Sequence, residues 1–176
     1  MNIVVTGSTG FIAQRIDKEY SNKHNIVLLG RKDLNLLDFS EVKKVFISLK
    51  PDLIIHTAAM TSTQVCEDNP ELSYEINVEA SLNIGKIANE IESKLLFFST
   101  EQVFNGNPED GPYKETDNPI PNTVYGKTKL KAEQLLKQEI DRLWIIRLSW
   151  LFGLPERNLK TGTNLVWNVI NANLQN

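Results

Sequence analysis

Short apolar runs alternate with longer amphipathic ones along the whole chain. The first, over 3–6, is β-branched; it meets a glycine turn and then a segment over 11–20 whose Phe11, Ile12 and Ile16 suit a helix. The pattern repeats as strands over 25–29, 52–57 (introduced by Pro51), 95–99 and 143–149. Helices are predicted over 40–49 (capped by Ser40), 70–92, 124–140 and 162–174. Strands that read as continuous apolar runs, such as LLFFS, are buried on both faces, and in alternation with helices they build a parallel sheet. The expected fold class is α/β, a doubly wound parallel sheet of the Rossmann, NAD(P)-binding kind, with 1–176 as one domain. The stretch over 105–122, rich in proline, glycine, Asn and Asp, reads as a loop inside that domain.

Composition narrows the function classes. The chain has 176 residues, 41% hydrophobic and 23% charged, which suits one globular domain with a core of its own. No segment approaches the roughly 18 consecutive apolar residues of a membrane span. Lys plus Arg number 19 and Asp plus Glu 22, a formal charge of -3, so the basic field that drives nucleic-acid binding is missing. The start, MNIVVTG, has no basic region ahead of an apolar stretch, and Cys66 is the single cysteine, so the default expectation is a reducing cytoplasm without disulfides. His24 and His56 fall in no metal-ligand spacing, and no metal site is expected. Cys66 reads as a packed thiol and His56 as a hydrogen-bonded structural histidine.

The candidate chemistry begins at the glycine turn. Thr6-Gly7-Ser8-Thr9-Gly10-Phe11-Ile12-Ala13 has a G-x-x-G-x-x-A spacing between the first strand and helix. Gly7 permits the tight turn, Gly10 lets backbone approach a pyrophosphate, and Ala13 keeps helix and strand close. The helix amino terminus offers unpaired N–H groups to phosphates. Where an acid would hold the adenosine ribose at the end of the second strand, the chain has Gly30-Arg31-Lys32, which suits a 2′-phosphate and so NADP(H), with NAD(H) as the alternative.

Tyr125 and Lys129 stand four apart in a helical segment, so their head groups share one face. An ammonium at Lys129 is expected to lower the phenol pKa of Tyr125, making it a proton donor to a carbonyl oxygen during hydride transfer. The LLFFS strand delivers Ser99 and Thr100 to the carboxyl edge of the sheet, where ligands bind in open α/β folds; Thr100 is expected to hold the substrate oxygen. Asn77, in the long helix, is a candidate support for a water relay to Lys129.

TGSTGFIA at 6–13, HTAAMT at 56–61, STEQVFNG at 99–106, YGKTK at 125–129 and RLSWLFG at 147–153 together resemble the extended short-chain dehydrogenase/reductase superfamily. Within it they resemble the dTDP-4-dehydrorhamnose reductase (sugar-nucleotide reductase) group. The resemblance runs over essentially the whole chain with the motifs in order. It implies Tyr125 as catalytic acid/base, Lys129 as the residue that tunes it and binds the nicotinamide ribose, and Thr100 as the residue that orients the substrate oxygen. It implies cofactor contacts from Gly7, Gly10, Phe11 and Ile12 at the phosphates, and from Arg31 at the adenosine phosphate. Asn35 and Leu36 would lie near the adenine, with Ala58, Ala59 and Thr61 along the nicotinamide half. Ser99, Thr100 and Trp150 would meet the substrate, a 4-keto-6-deoxy nucleotide sugar.

The pattern departs from the family in places. Asn35 stands where an Asp is usual, and Glu101-Gln102 replaces Asp-Tyr in the S-T-D-Y-V-F segment, which bears on which nucleotide sugar fits. Members of the family normally continue into a small carboxyl-terminal substrate lobe, which is expected to be absent or truncated here. Alternative readings are an epimerase or dehydratase of the same superfamily, or a non-catalytic module resembling the regulatory subunit of methionine adenosyltransferase. An incomplete sheet edge invites a homodimer or a partner protein.

Overall fold

The computed structural model describes residues 1–153 and 165–174. Five parallel strands, β1 (Asn2–Thr6), β2 (Asn25–Leu29), β3 (Leu53–His56), β4 (Lys94–Thr100) and β5 (Leu143–Leu148), form one sheet in the order β2-β1-β3-β4-β5. The helices are α1 (Phe11–Tyr20), α2 (Phe39–Leu49), α3 (Thr63–Asp68), α4 (Pro70–Tyr74), α5 (Ala80–Glu90), α6 (Val124–Glu139) and α7 (Leu165–Leu174). A π-helical turn, Glu75–Glu79, joins α4 to α5, and a 3-10 turn, Glu101–Phe104, follows β4.

Alternation along the strands divides the core. Val4, Ile54, Leu95 and Phe97 face α2, α5 and α6, meeting Val42, Phe46, Ile84, Ala132 and Leu136. Ile3, Val5 and Ile55 face α1 and bury Ala13. That second face is covered unevenly: on β5, Trp144 and Ile146, paired in register with Leu96 and Phe98 of β4, are exposed.

The α/β parallel sheet is as expected, and β1, β2, α1 and β5 fall within a residue of their predicted limits. Two local expectations are corrected and one helix was not anticipated. Helix α2 begins at Phe39 and is capped by Asp38, whose Oδ1 accepts the Glu41 N–H at 2.9 Å. Ser40 lies inside the first turn, because the carboxylate one position before the helix is the better acceptor and also complements the helix dipole. The stretch over 70–92 is one helical path with a π turn inside it, and it ends at Glu90. Helix α3, capped by Ser62, has only two turns and shows no apolar period long enough to read. The 162–164 start of the last predicted helix lies outside the described residues.

Candidate active site

The chain order makes a switch point. From β1 the chain crosses to β2 on one side and then returns to β3 on the other, so the carboxyl ends of β1 and β3 diverge and leave a crevice between them. Gly7 sits at that point with φ +78, in the left-handed region that glycine enters without cost. A Cβ there would stand 2.7 Å from Thr57 Oγ1 and 3.0 Å from the Ala58 nitrogen. The turn is closed by Gly10 N–H donating to the Gly7 carbonyl at 2.8 Å. Gly10 then precedes α1 without any side-chain cap, so the first N–H groups of that helix point into the crevice.

A cleft of about 550 Å³ opens here, lined by Gly10, Phe11 and Ile12 and also by Thr100, Tyr125 and Lys129. Ala59, Thr61, Ser99 and Trp150 line it as well, with Trp150 69% exposed. The structure thus brings together Gly10, Phe11, Ile12, Ala59, Thr61, Ser99, Thr100, Tyr125, Lys129 and Trp150. Gly7 lies in the turn itself, against the Ala58 backbone. Arg31 is exposed just after β2. Asn35 and Leu36 do not line the cleft. The Asn35 side-chain oxygen accepts the Leu37 N–H at 3.1 Å, closing a local turn, and Leu36 packs partly against the main core.

Helix α6 delivers the Tyr and Lys. Thr123 caps it, accepting the Gly126 N–H at 3.1 Å, and Glu67 of α3 accepts the Val124 N–H at 2.7 Å. Gly126 permits close approach: a Cβ on it would fall 2.6 Å from the Gln102 carbonyl oxygen. Tyr125 is therefore pressed against the segment that carries Thr100. The Thr100 hydroxyl donates to Glu101 Oε2 at 3.0 Å, accepts the Gln102 N–H at 3.2 Å, and lies within hydrogen-bond reach of the Tyr125 phenol. Glu101 and Gln102 border the same cleft.

The expected lowering of the Tyr125 phenol is not found. Burial pushes it up to about 12, outweighing the Thr100 hydrogen bond. Lys129 is 2% exposed and burial pushes it down to about 7, so in the free chain its charge is itself marginal near neutrality. Its Nζ lies 3.9 Å from the centroid of the Phe97 ring, a cation–π contact in a desolvated place.

The neighbouring residues are structural. His56 bridges Thr6 Oγ1 at 2.7 Å and Ser81 Oγ at 3.0 Å, and burial pushes it down to about 3. It is thus a neutral core histidine. Cys66 is buried with its Sγ donating to the Met60 carbonyl at 3.4 Å. Asn77 is engaged with the loop after β3. Presented by the π turn, its side chain accepts the Met60 N–H at 2.8 Å and donates to the Met60 carbonyl, Ser73 and Thr128, clamping the loop after β3.

Sequence reasoning missed Phe97 beneath Lys129 and the buried pair Glu133 and Arg147, joined at 2.9 and 2.7 Å. The position of Glu133, four residues after Lys129, was the available signal. Among the described residues, no group of three or more His, Cys, Asp and Glu could hold a metal, and no helix is long and apolar enough to cross a membrane.

Comparison with known proteins places this arrangement. The model of a family described as "RmlD substrate binding domain" matches residues 1–172. The chain belongs to the RmlD substrate binding domain family. It is 31% identical over 177 residues to methionine adenosyltransferase 2 subunit beta of Bos taurus, covering 96% of this chain and 52% of that protein. It is 35% identical over 157 residues to dTDP-4-dehydrorhamnose reductase of Salmonella typhimurium, covering 87% of this chain and 52% of the relative. The solved structure of dTDP-4-dehydrorhamnose reductase from Bacillus anthracis in complex with NADP superposes with a TM-score of 0.89 at 30% identity. It covers 99% of this chain and 60% of its own. The chain therefore spans about half the length of the curated relatives it matches.

Proposed function

We propose that the chain is the NAD(P)-binding part of a reductase that uses NADP(H), with NAD(H) as a weaker alternative, to reduce a 4-keto-6-deoxy nucleotide sugar, as in dTDP-4-dehydrorhamnose reductase. The observation that carries this reading is the convergence of Thr100, Tyr125 and Lys129 on one cleft that the uncapped start of α1 also lines.

The residues present fit such a cofactor. The Gly7 position, where a Cβ would collide with Thr57 and Ala58, leaves bare backbone beside the helix start, the kind of surface a pyrophosphate needs. Gly7, Gly10, Phe11 and Ile12 would hold the phosphates and Arg31 the adenosine 2′-phosphate. Ala58, Ala59 and Thr61 would flank the nicotinamide half, and Lys129 would hold its ribose. Asn35 and Leu36 contribute at most to the edge of an adenine site. The cofactor, when bound, supplies the hydride. The chain's own residues supply the proton and the orientation: Tyr125, protonated throughout the neutral range, donates to the keto oxygen, and Thr100 holds that oxygen. Ser99 and Trp150 bound the sugar. A cytoplasmic location suits both cofactor and substrate.

The test is consumption of NADPH by the chain with a dTDP-4-keto-6-deoxy sugar, beside Tyr125→Phe. Turnover lost in the variant supports the reading. NADPH binding without turnover of any keto-sugar would favour the second reading, a regulatory module like methionine adenosyltransferase 2 subunit beta, which the 31% identity supports.

A further inference from the structure

Gly30 follows β2, and its backbone lies outside the left-handed region, Gly7 being the one glycine with positive φ among the described residues. Its lack of a side chain answers to space instead. A Cβ built there would collide with the Ser8 hydroxyl oxygen and stand 3.4 Å from the Ser8 Cβ. Ser8 is held in that place by two elements: its N–H donates to the Leu29 carbonyl of β2 at 3.2 Å, and its carbonyl accepts Gln14 Nε2 of α1 at 2.6 Å. From the glycine turn, the Ser8 side chain thus fills the position that the stem of a residue-30 side chain would take. An acid at the end of the second strand is what holds the ribose 2′-hydroxyl in an NAD site. Here that place has an uncharged hydroxyl, with the exposed Arg31 and Lys32 following. The acid of this turn, Asp33, is engaged within it. Its Oδ2 accepts the Gly30 N–H at 2.8 Å, while the Asp33 and Leu34 N–H groups both donate to the Gly30 carbonyl at 3.0 Å. Leu34, 4% exposed in the main core, anchors the turn.

We infer that Ser8 is a specificity-determining residue for the cofactor: its hydroxyl donates to the adenosine 2′-phosphate of NADP(H), in the space an acidic side chain at position 30 would occupy in a chain built for NAD(H). This deepens the cofactor reading proposed above and rests on it. A hydroxyl donates to a phosphate oxygen without adding negative charge, whereas a carboxylate in its place would repel the phosphate and accept from a ribose hydroxyl. Two cations, Arg31 and Lys32, stand in this turn against the single carboxylate of Asp33, a balance that suits an anion. Arg31 supplies charge and a planar set of donors. Ser8 supplies a donor set on the framework of β1, β2 and α1, which an exposed arginine side chain lacks.

The test is calorimetric titration of the full chain with NADPH and NADH and, for the adenosine half alone, with adenosine 2′,5′-bisphosphate and AMP. Ser8→Ala removes the hydroxyl and keeps the Cβ. It should weaken NADPH and the bisphosphate about 10-fold and leave NADH and AMP within about twofold. The exchange variant Ser8→Gly with Gly30→Asp, which moves the side chain from the turn to the strand end, should bind NADH more tightly than NADPH. If Ser8→Ala leaves the ratio of NADPH to NADH affinity at its parent value, whether by changing neither or by lowering both alike, the inference is overturned. Tight NADPH binding by the parent chain would in that case leave the proposed function standing. A parent chain that binds none of the four ligands overturns both.

Discussion

Tyr125 is held in conditions that favour its neutral form, since the surrounding protein desolvates the phenol and raises it to about 12. For the proton donor proposed here, the free chain keeps the phenol protonated at neutral pH but makes it a weaker acid than an ordinary phenol, so efficient transfer to a keto oxygen requires a charge that lowers it again. Tyr125→Phe should lower keto-sugar turnover by roughly 10²-fold or more while leaving NADPH affinity within a few-fold, as measured by steady-state kinetics and calorimetry. At this scale the sequence was informative where the placement of a side chain depends on short spacing or on a strand end. Tyr125 with Lys129, and Thr100 at a strand end, were readable for that reason. The sign of the Tyr125 shift was not, because it depends on burial by α3, β4 and the 3-10 turn. The Glu133–Arg147 pair was hidden for the same reason, its partners lying on different elements 14 positions apart.

Elements place these side chains through a few close contacts. Gly126 lets α6 approach the Gln102 carbonyl to a distance that excludes a methyl group. Gly126→Ala should therefore push the start of α6 away from the Thr100 segment. A loss of about 1–3 kcal/mol of stability in urea unfolding, with a fall in turnover larger than any change in NADPH affinity, is the expected result. The start of α2 offers a cleaner case. Asp38→Ala should cost about 1 kcal/mol and Ser40→Ala much less, a comparison that thermal unfolding resolves. Strand and helix types were legible from period and β-branching, whereas caps were ambiguous because Asp38 and Ser40 are both good capping residues. The π turn at Glu75–Glu79 had no sequence signature; it carries Asn77, whose side chain accepts the Met60 N–H.

Across the whole molecule, buried titratable groups set the pH dependence of stability. The folded-state value of His56 is depressed from 6.5 to about 3, so the folded chain holds fewer protons in that interval, and stability present above 6.5 is lost as pH falls through it. The loss is on the order of 5 kcal/mol. Glu133, held below its ordinary value, acts in the same direction. Lys129, depressed from 10.5 to about 7, adds stability as pH rises through that window. Tyr125, raised from 10.0 to about 12, removes some above 10. Urea midpoints should therefore climb from acid to mildly alkaline pH, and His56→Gln should flatten the acid limb. The fold class was legible because a parallel sheet leaves long apolar runs. The uneven cover of the sheet, with Trp144 and Ile146 exposed, was not, since an apolar strand reads alike whether or not a helix lies over it.

The central claim, that the crevice at the switch point is an NADP(H) site, is tested most directly by calorimetric titration of the chain with NADPH and with NADH, beside Arg31→Ala. The account predicts binding of NADPH in the micromolar range, weaker binding of NADH, and a loss of that preference in Arg31→Ala. A folded chain that binds neither dinucleotide, or binds both equally with Arg31 intact, would contradict it.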